Sequence, residues 1–399
     1  MHSASRYAAP VASKQPRSRG WVIGRLAGAP VVVTPSWFVA AAVLTFFFAP
    51  AVRSRAPQLG GGGVTLVAFS FVLLLFVSVL LHEAAHAYVA RSRGHQVTEL
   101  AMTLWGGHTA YTGTQRHPLD GALIAVVGPA TNLALAVLAA WAAWAADGVA
   151  FWDVLAGPAS VSSVGVWLIV AAGFSNAFVG LFNLLPGLPL DGGQILEALV
   201  WRVTGSRRRG TVAAGWIGRV VAVGVLAAVL GWPVLHGSLP TTANVIWAAI
   251  VGAFLWQGAG EAIRGARRRE VVDGLLARSF AGAAVSVVSG SSVADAARAV
   301  AGVPDAALVV VDAAGSPLGW VDPAAAAAVP PGAAVSTPVD AAVVPFPPGS
   351  AVEESMGGQE LLEHLAATSA GARFVPVVLR GSVTGVLDVA RVAAALRPR

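Results

Sequence analysis

Residues 64–90 read VTLVAFSFVLLLFVSVLLHEAAHAYVA. From Val64 to Leu81 there is no charge, a run long enough for the ~20 apolar residues that cross a hydrocarbon core. The run then meets His82, Glu83 and His86 before it leaves the apolar region. Residues four apart on a helix lie on one face, so His82 and His86 can bind one ion. An unpaired Glu83 at membrane depth costs about 2.5–3.5 kcal/mol on insertion scales, so its presence asks for a chemical reason. Pairing with Arg91 or Arg93 is the plainer explanation of the same carboxylate.

Five further stretches have the length of a span: Val31–Pro50, Gly121–Ala146, Val161–Trp201, Thr211–Leu230 and Asn244–Ala262. The chain of 399 residues is 56% apolar and only 12% charged, against roughly a quarter charged in ordinary soluble proteins. A purely soluble globule is excluded, and the expected class is a polytopic α-helical membrane protein of about six spans. The net charge of +6 does not point to nucleic acid, because the basic residues sort by loop. With the N-terminus inside, sixteen Lys and Arg flank the inner ends of the spans, and only Arg53 and Arg55 fall outside. The expected placement is the plasma membrane, multi-pass, with both termini cytoplasmic. The first 28 residues are polar and basic, without the apolar run of a signal peptide.

The fourth stretch is too long for one straight helix. It contains Asn183-Leu-Leu-Pro-Gly-Leu-Pro-Leu-Asp-Gly-Gly193, where Pro186 and Pro189 each remove a backbone donor. The backbone must unwind there, and irregular backbone at membrane depth marks a site or a cavity. With no Cys in the chain, a third metal ligand beside His82 and His86 must be a carboxylate. Asp147 and Asp153 lie on the outer side and Asp120 at the inner start of the third span, whereas Asp191 sits at the matching depth. Capping a helix over residues 194–201 is the alternative use of Asp191. Two imidazoles, one carboxylate and one open position describe a catalytic zinc site.

HEAAH in an early span, NLLPGLPLDGG in a later one and a C-terminal repeat together resemble the site-2 proteases, intramembrane zinc metalloproteases, in the bacterial subgroup with a cytoplasmic pair of CBS domains. The resemblance implies zinc on His82, His86 and Asp191, with Glu83 as the general base that takes the proton of zinc-bound water and later returns one to the leaving amine. It implies regulated intramembrane proteolysis, hydrolysing peptide bonds in or near transmembrane segments. Gly128-Pro-Ala-Thr-Asn132 looks like the family's polar element, which would make Asn132 a substrate-positioning or oxyanion residue. Ala85 stands where the family motif usually has Gly. A CBS-regulated transporter or channel is the competing function; it predicts charges spread along a path, whereas here they cluster at one depth. His95–Gly113, with partial alternation and Gly106-Gly107, reads as a hairpin or edge strand that either accepts an unwound substrate as an added strand or is structural.

From Glu261 the composition changes to short alternating pieces with no spanning run. Helical Ser292–Val300, strand Ala307–Asp312 and strand Leu318–Asp322 recur as Glu360–Ala367, Arg373–Leu379 and Thr384–Asp388, an internal repeat. The organisation expected is a tail over residues 1–28, a protease domain over 29–262, a basic linker over 263–281 and a small α/β CBS pair over 282–399. By the resemblance that pair senses a ligand or forms a homodimer. Neither Gly319-Trp-Val-Asp322 nor Gly385-Val-Leu-Asp388 has the hydroxyl-then-Asp spacing of nucleotide-binding pairs, so nucleotide binding is not expected.

Overall fold

The computed structural model describes residues 18–112, 117–148 and 163–396. The chain divides into two compact units with the boundary between Ala266 and Arg267. Asp153 and Arg116 lie outside the described residues.

The first unit opens with the hairpin β1 (Trp21–Leu26) and β2 (Ala29–Val33), then α1 (Pro35–Arg55) and α2 (Gly61–Ser92). Next come β3 (Gln96–Thr103), β4 (Gly106–Thr112) and α3 (Pro118–Asp147). The rest is α4 (Val164–Asn183), α5 (Asp191–Thr204), α6 (Arg207–Leu235) and α7 (Thr242–Asp273). Six of these helices, α1 to α4, α6 and α7, are long and apolar enough to cross a membrane. Their large side chains are largely turned outward, with Phe46 77% and Leu235 82% exposed, as lipid-facing helices require. Proline starts α1 and α3, where its missing N–H costs nothing, and left-handed Gly148 and Gly205 end α3 and α5.

The strands form one sheet in the order β1-β2-β3-β4, with β2 and β3 parallel and the other pairs antiparallel. Its inner face fixes the height of α2. Val31 and Leu100, paired across β2 and β3, pack with Ala29 on Ala84 and Ala87 of α2, and these small side chains let the helix lie close beneath the strands. The expected hairpin over 95–113 is therefore the β3–β4 pair, with β4 on the sheet edge.

The long fourth stretch resolves into two helices, α4 and α5, separated by residues 184–190. The unwound backbone finds partners on α6: Leu188 N–H donates to the Ala214 carbonyl at 3.1 Å. Gly218 of α6 lies against the Leu188 carbonyl, closer than any side chain there could come. The two prolines break the helix, and a glycine face on the neighbouring helix receives the break.

The second unit comprises α8 (Ala277–Phe280), β5 (Ala281–Val288), α9 (Val293–Val300), β6 (Ala307–Val311), β7 (Pro317–Val321) and α10 (Pro323–Ala327). After these come β8 (Val343–Pro345), β9 (Val352–Glu353), α11 (Gly358–Thr368), β10 (Phe374–Leu379), β11 (Ser382–Asp388) and α12 (Val389–Ala395). Its sheet runs β8-β7-β6-β5-β11-β10-β9. The repeat is explicit in the pairing: β5 is parallel to β6 and β6 antiparallel to β7, as β9 is parallel to β10 and β10 antiparallel to β11. Each copy buries its own core, one around Val310 and Val339, the other around Leu361 and Leu387. Asp322, directly after β7, and Asp388, the last residue of β11, cap α10 and α12 by accepting from Ala324 N–H and Ala390 N–H, both at 2.9 Å.

Candidate metal and catalytic site

His82 and His86 lie one turn apart on α2, both buried, with their Nε2 atoms 3.0 Å from each other. Asp191, the first residue of α5, brings Oδ2 to 3.1 Å from His82 Nε2 and 3.4 Å from His86 Nε2. It does not cap the helix: the cap position is Leu190, and no side chain caps that end. Asp191 Oδ1 takes a hydrogen bond from Gln194 Nε2 at 3.3 Å, which leaves Oδ2 turned to the imidazoles.

These three atoms fit a metal ion better than they fit each other. His86 Nδ1 lies 2.6 Å from the Ile124 carbonyl, which can only accept, so the ring proton is on Nδ1 and Nε2 presents a lone pair. Asp191 Oδ2 is buried and finds no hydrogen-bond donor, although two ring nitrogens stand beside it. Lone pairs converging in a buried space repel unless a cation lies among them. A tetrahedral ion with N and O ligands at about 2.0–2.2 Å separates its ligands by about 3.3–3.5 Å, close to the spacing observed. Gly128 of α3 forms the floor. A Cβ there would stand 2.6 Å from His82 Nε2 and still nearer His86 Nε2, so only glycine lets α3 approach the two rings.

Glu83 is buried beside this cluster and pairs with neither arginine. Arg93 instead holds Asp120, Nη2 to Oδ1 at 2.6 Å, and Arg91 reaches Gly28. The Glu83 carboxylate lies under β4: Thr109 Oγ1 donates to Glu83 Oε2 at 2.8 Å, and Gly107 passes so close to the Glu83 side chain that a Cβ would collide with it. Thr109 and Gly107 therefore aim the carboxylate, a role the sequence did not disclose. A cavity of about 470 Å³ is lined by His82, Glu83, His86, Asp191 and residues Gly106–Thr109, with Phe178 and Phe254 on its apolar side.

Asn132 is displaced from its expected role. It is fully buried and absent from the cavity lining, and its side chain turns to the back of His82, with Oδ1 2.5 Å from Nδ1. Both amide hydrogens are committed, to Ser78 Oγ at 3.0 Å and Asn176 Oδ1 at 2.9 Å, so nothing remains for a substrate or an oxyanion. Asp147 lies at the far end of α3, away from the cluster.

Residues 70–227 match the description Peptidase family M50. The chain is 32% identical over 255 residues to sll0528 of Synechocystis, which carries the provisional name of a zinc metalloprotease; the match covers 64% of this chain and 62% of that protein. The chain thus spans about three fifths of the length of this curated relative. Among solved structures, a site-2 protease from Methanocaldococcus jannaschii is 22% identical, with a TM-score of 0.41, covering 61% of this chain and 95% of that one. The CBS domain of a membrane protein from Sphaerobacter thermophilus is 13% identical, with a TM-score of 0.28, covering 35% of this chain and 99% of that one. The segment that matches peptidase family M50, residues 70–227, contains His82, Glu83, His86 and Asp191.

Proposed function

We propose that the protein is an intramembrane zinc metalloendopeptidase, with His82, His86 and Asp191 as metal ligands and Glu83 as the general base. The observation that carries this reading is the convergence of three buried donor atoms, within 4.8 Å of one another, beside a carboxylate held by a neighbouring strand. The family of residues 70–227 supports it. A zinc ion there supplies Lewis acidity toward water and toward a peptide carbonyl, at neutral pH.

The rest is done by the chain's own groups. Thr109 occupies Glu83 Oε2, leaving Oε1 to accept the proton of the attacking water and return it to the leaving amine nitrogen. The sheet edge β4 runs along the cavity, where an unwound substrate segment can add as a strand. Phe178 and Phe254 keep the far wall apolar, which suits a substrate entering from the bilayer. We place both termini on the cytoplasmic side, on the strength of the charge distribution, and assign the repeat of residues 282–399 a regulatory or dimerising role.

The test is a pair of variants of the purified full chain, assayed for bound zinc and for cleavage of a single-span membrane substrate. Glu83→Gln should keep about one zinc per chain and lose cleavage, because the base is not a ligand; His86→Ala should lose both. A Glu83→Gln protein that still cleaves refutes the assignment of the base, and wild-type protein that binds no zinc refutes the reading as a whole.

A further inference from the structure

Behind His82 lies a chain of neutral polar groups linking three of the long helices. Ser78 on α2, Asn132 on α3 and Asn176 on α4 are all buried, at 5%, 0% and 6% exposure, in helices that are mostly apolar. Burying three such groups is costly unless every donor meets an acceptor. Here the groups are linked to one another by hydrogen bonds, and only one direction of donation is consistent with all of these contacts.

The direction is set at the end remote from the site. Asn176 Nδ2 lies 2.9 Å from the Ala172 main-chain carbonyl, which can only accept. The Asn176 amide therefore cannot be reversed without setting two oxygens against each other. Its Oδ1 must face the interior, where it receives Ser78 Oγ–H at 2.5 Å and Asn132 Nδ2–H at 2.9 Å. Asn132 gives its second amide hydrogen to Ser78 Oγ at 3.0 Å, so Asn132 Oδ1 is the atom left for His82. An oxygen 2.5 Å from Nδ1 obliges that nitrogen to carry the ring proton. His82 Nε2 is then the lone-pair atom, facing His86 Nε2 and Asp191 Oδ2.

We propose that Asn176 is a positioning residue for the metal site: through Asn132 it transmits the polarity of the Ala172 carbonyl to the His82 ring and so fixes the tautomer that can ligate. His86 receives the same instruction directly from a main-chain carbonyl, whereas His82 receives it through two side-chain amides. The inference rests on His82 serving as a metal ligand. Partners behind a ligating histidine typically change metal affinity by about 10–100-fold when removed.

The experiment measures zinc affinity of the full chain in detergent, by competition with a chelator, with the visible spectrum of the cobalt-loaded protein as a second readout. Asn176→Leu should weaken zinc binding about tenfold or more and alter the cobalt spectrum. The deciding arm is the same substitution in an Asn132→Asp background. A carboxylate at 132 accepts from His82 Nδ1 whatever stands at 176, so adding Asn176→Leu there should change zinc affinity by less than about threefold. A purely structural role for Asn176 would give the same loss in both backgrounds, and that result overturns the proposal. Should Asn176→Leu fail to fold, Asn176→Asp carries the test. Its buried, protonated carboxyl offers one donor and one acceptor in the same places, so affinity should stay within about threefold of wild type, and a tenfold loss overturns the proposal. Wild-type protein that binds no zinc would instead remove the functional reading beneath it, whereas wild-type zinc binding with an unaffected Asn176→Leu sinks the relay alone.

Discussion

Gly128→Ala is the most informative single change at the site. The added Cβ would stand 2.6 Å from His82 Nε2 and from His86 Cε1, and closer still to His86 Nε2. Ordinary van der Waals contact begins at 3.4 Å, so the rings and α3 must separate by about 0.8 Å or more. The rings cannot retreat freely, because His86 is held from behind by the Ile124 carbonyl at 2.6 Å and His82 by Asn132 at 2.5 Å. Either α3 shifts as a body, at the ~1–3 kcal/mol typical of overpacking, or a ring rotates and loses its Nδ1 partner. Either route disturbs donors now 3.0–3.4 Å apart. We expect zinc affinity to fall about 10–100-fold, with cleavage falling in parallel. Chelator competition measures the first and a membrane-substrate assay the second. Gly224→Ala on α6 is the control, since a Cβ there meets nothing within 4 Å. Wild-type zinc affinity in Gly128→Ala would refute the role of Gly128 as the floor of the site, and an equal loss in Gly224→Ala would show a general effect of helix glycines.

Other predictions follow from single contacts. Thr109→Val removes the hydrogen bond that aims Glu83 and should lower kcat about 10–100-fold, the worth of one charge-assisted bond, with zinc content unchanged; parallel loss of zinc would refute this division of roles. In the second unit, Ser289 Oγ–H and Gly290 N–H donate to Asp340, both at 2.7 Å, and hold its carboxyl below the usual carboxylate range. A depressed native pKa stabilises above the unfolded value near 3.9 and is lost as pH falls through the native one. The Tm gap between wild type and Asp340→Asn should therefore be present at pH 7 and close below about pH 4; a gap that widens on acidification would contradict it. A cysteine at position 206 of this cysteine-free chain should label from the cytoplasmic face of the membrane, and labelling from outside in intact cells would reverse the orientation. ATP or AMP should bind the full chain more weakly than millimolar by calorimetry, and micromolar binding would make the C-terminal repeat a nucleotide sensor.

The charged part of the site was legible in the sequence because each of its groups is individually expensive at membrane depth. His82, Glu83 and His86 interrupt an uncharged run, and Asp191 follows two prolines that force the backbone open, so each carries its own local signal. The six long helices were legible for the same reason, since apolar length is a local property. Neutral polar groups behave differently. Ser78 and Asn176 cost little to place in a helix once paired, and their partners lie 98 residues apart in sequence, so nothing local announces them. One signal was available: Ser78 stands four residues before His82 and so shares its face. Asn132 poses a different difficulty. The stretch Gly128-Pro-Ala-Thr-Asn132 marks it as a polar residue near the candidate site, but such a residue can face the reactants or the back of a histidine, and its full burial and the commitment of its amide to Ser78 and Asn176 favour the second. Sequence thus exposes the charged groups of the candidate site, because charge must be justified residue by residue, and conceals the neutral groups behind them, because a satisfied hydrogen bond leaves no uncompensated cost in either partner's own surroundings.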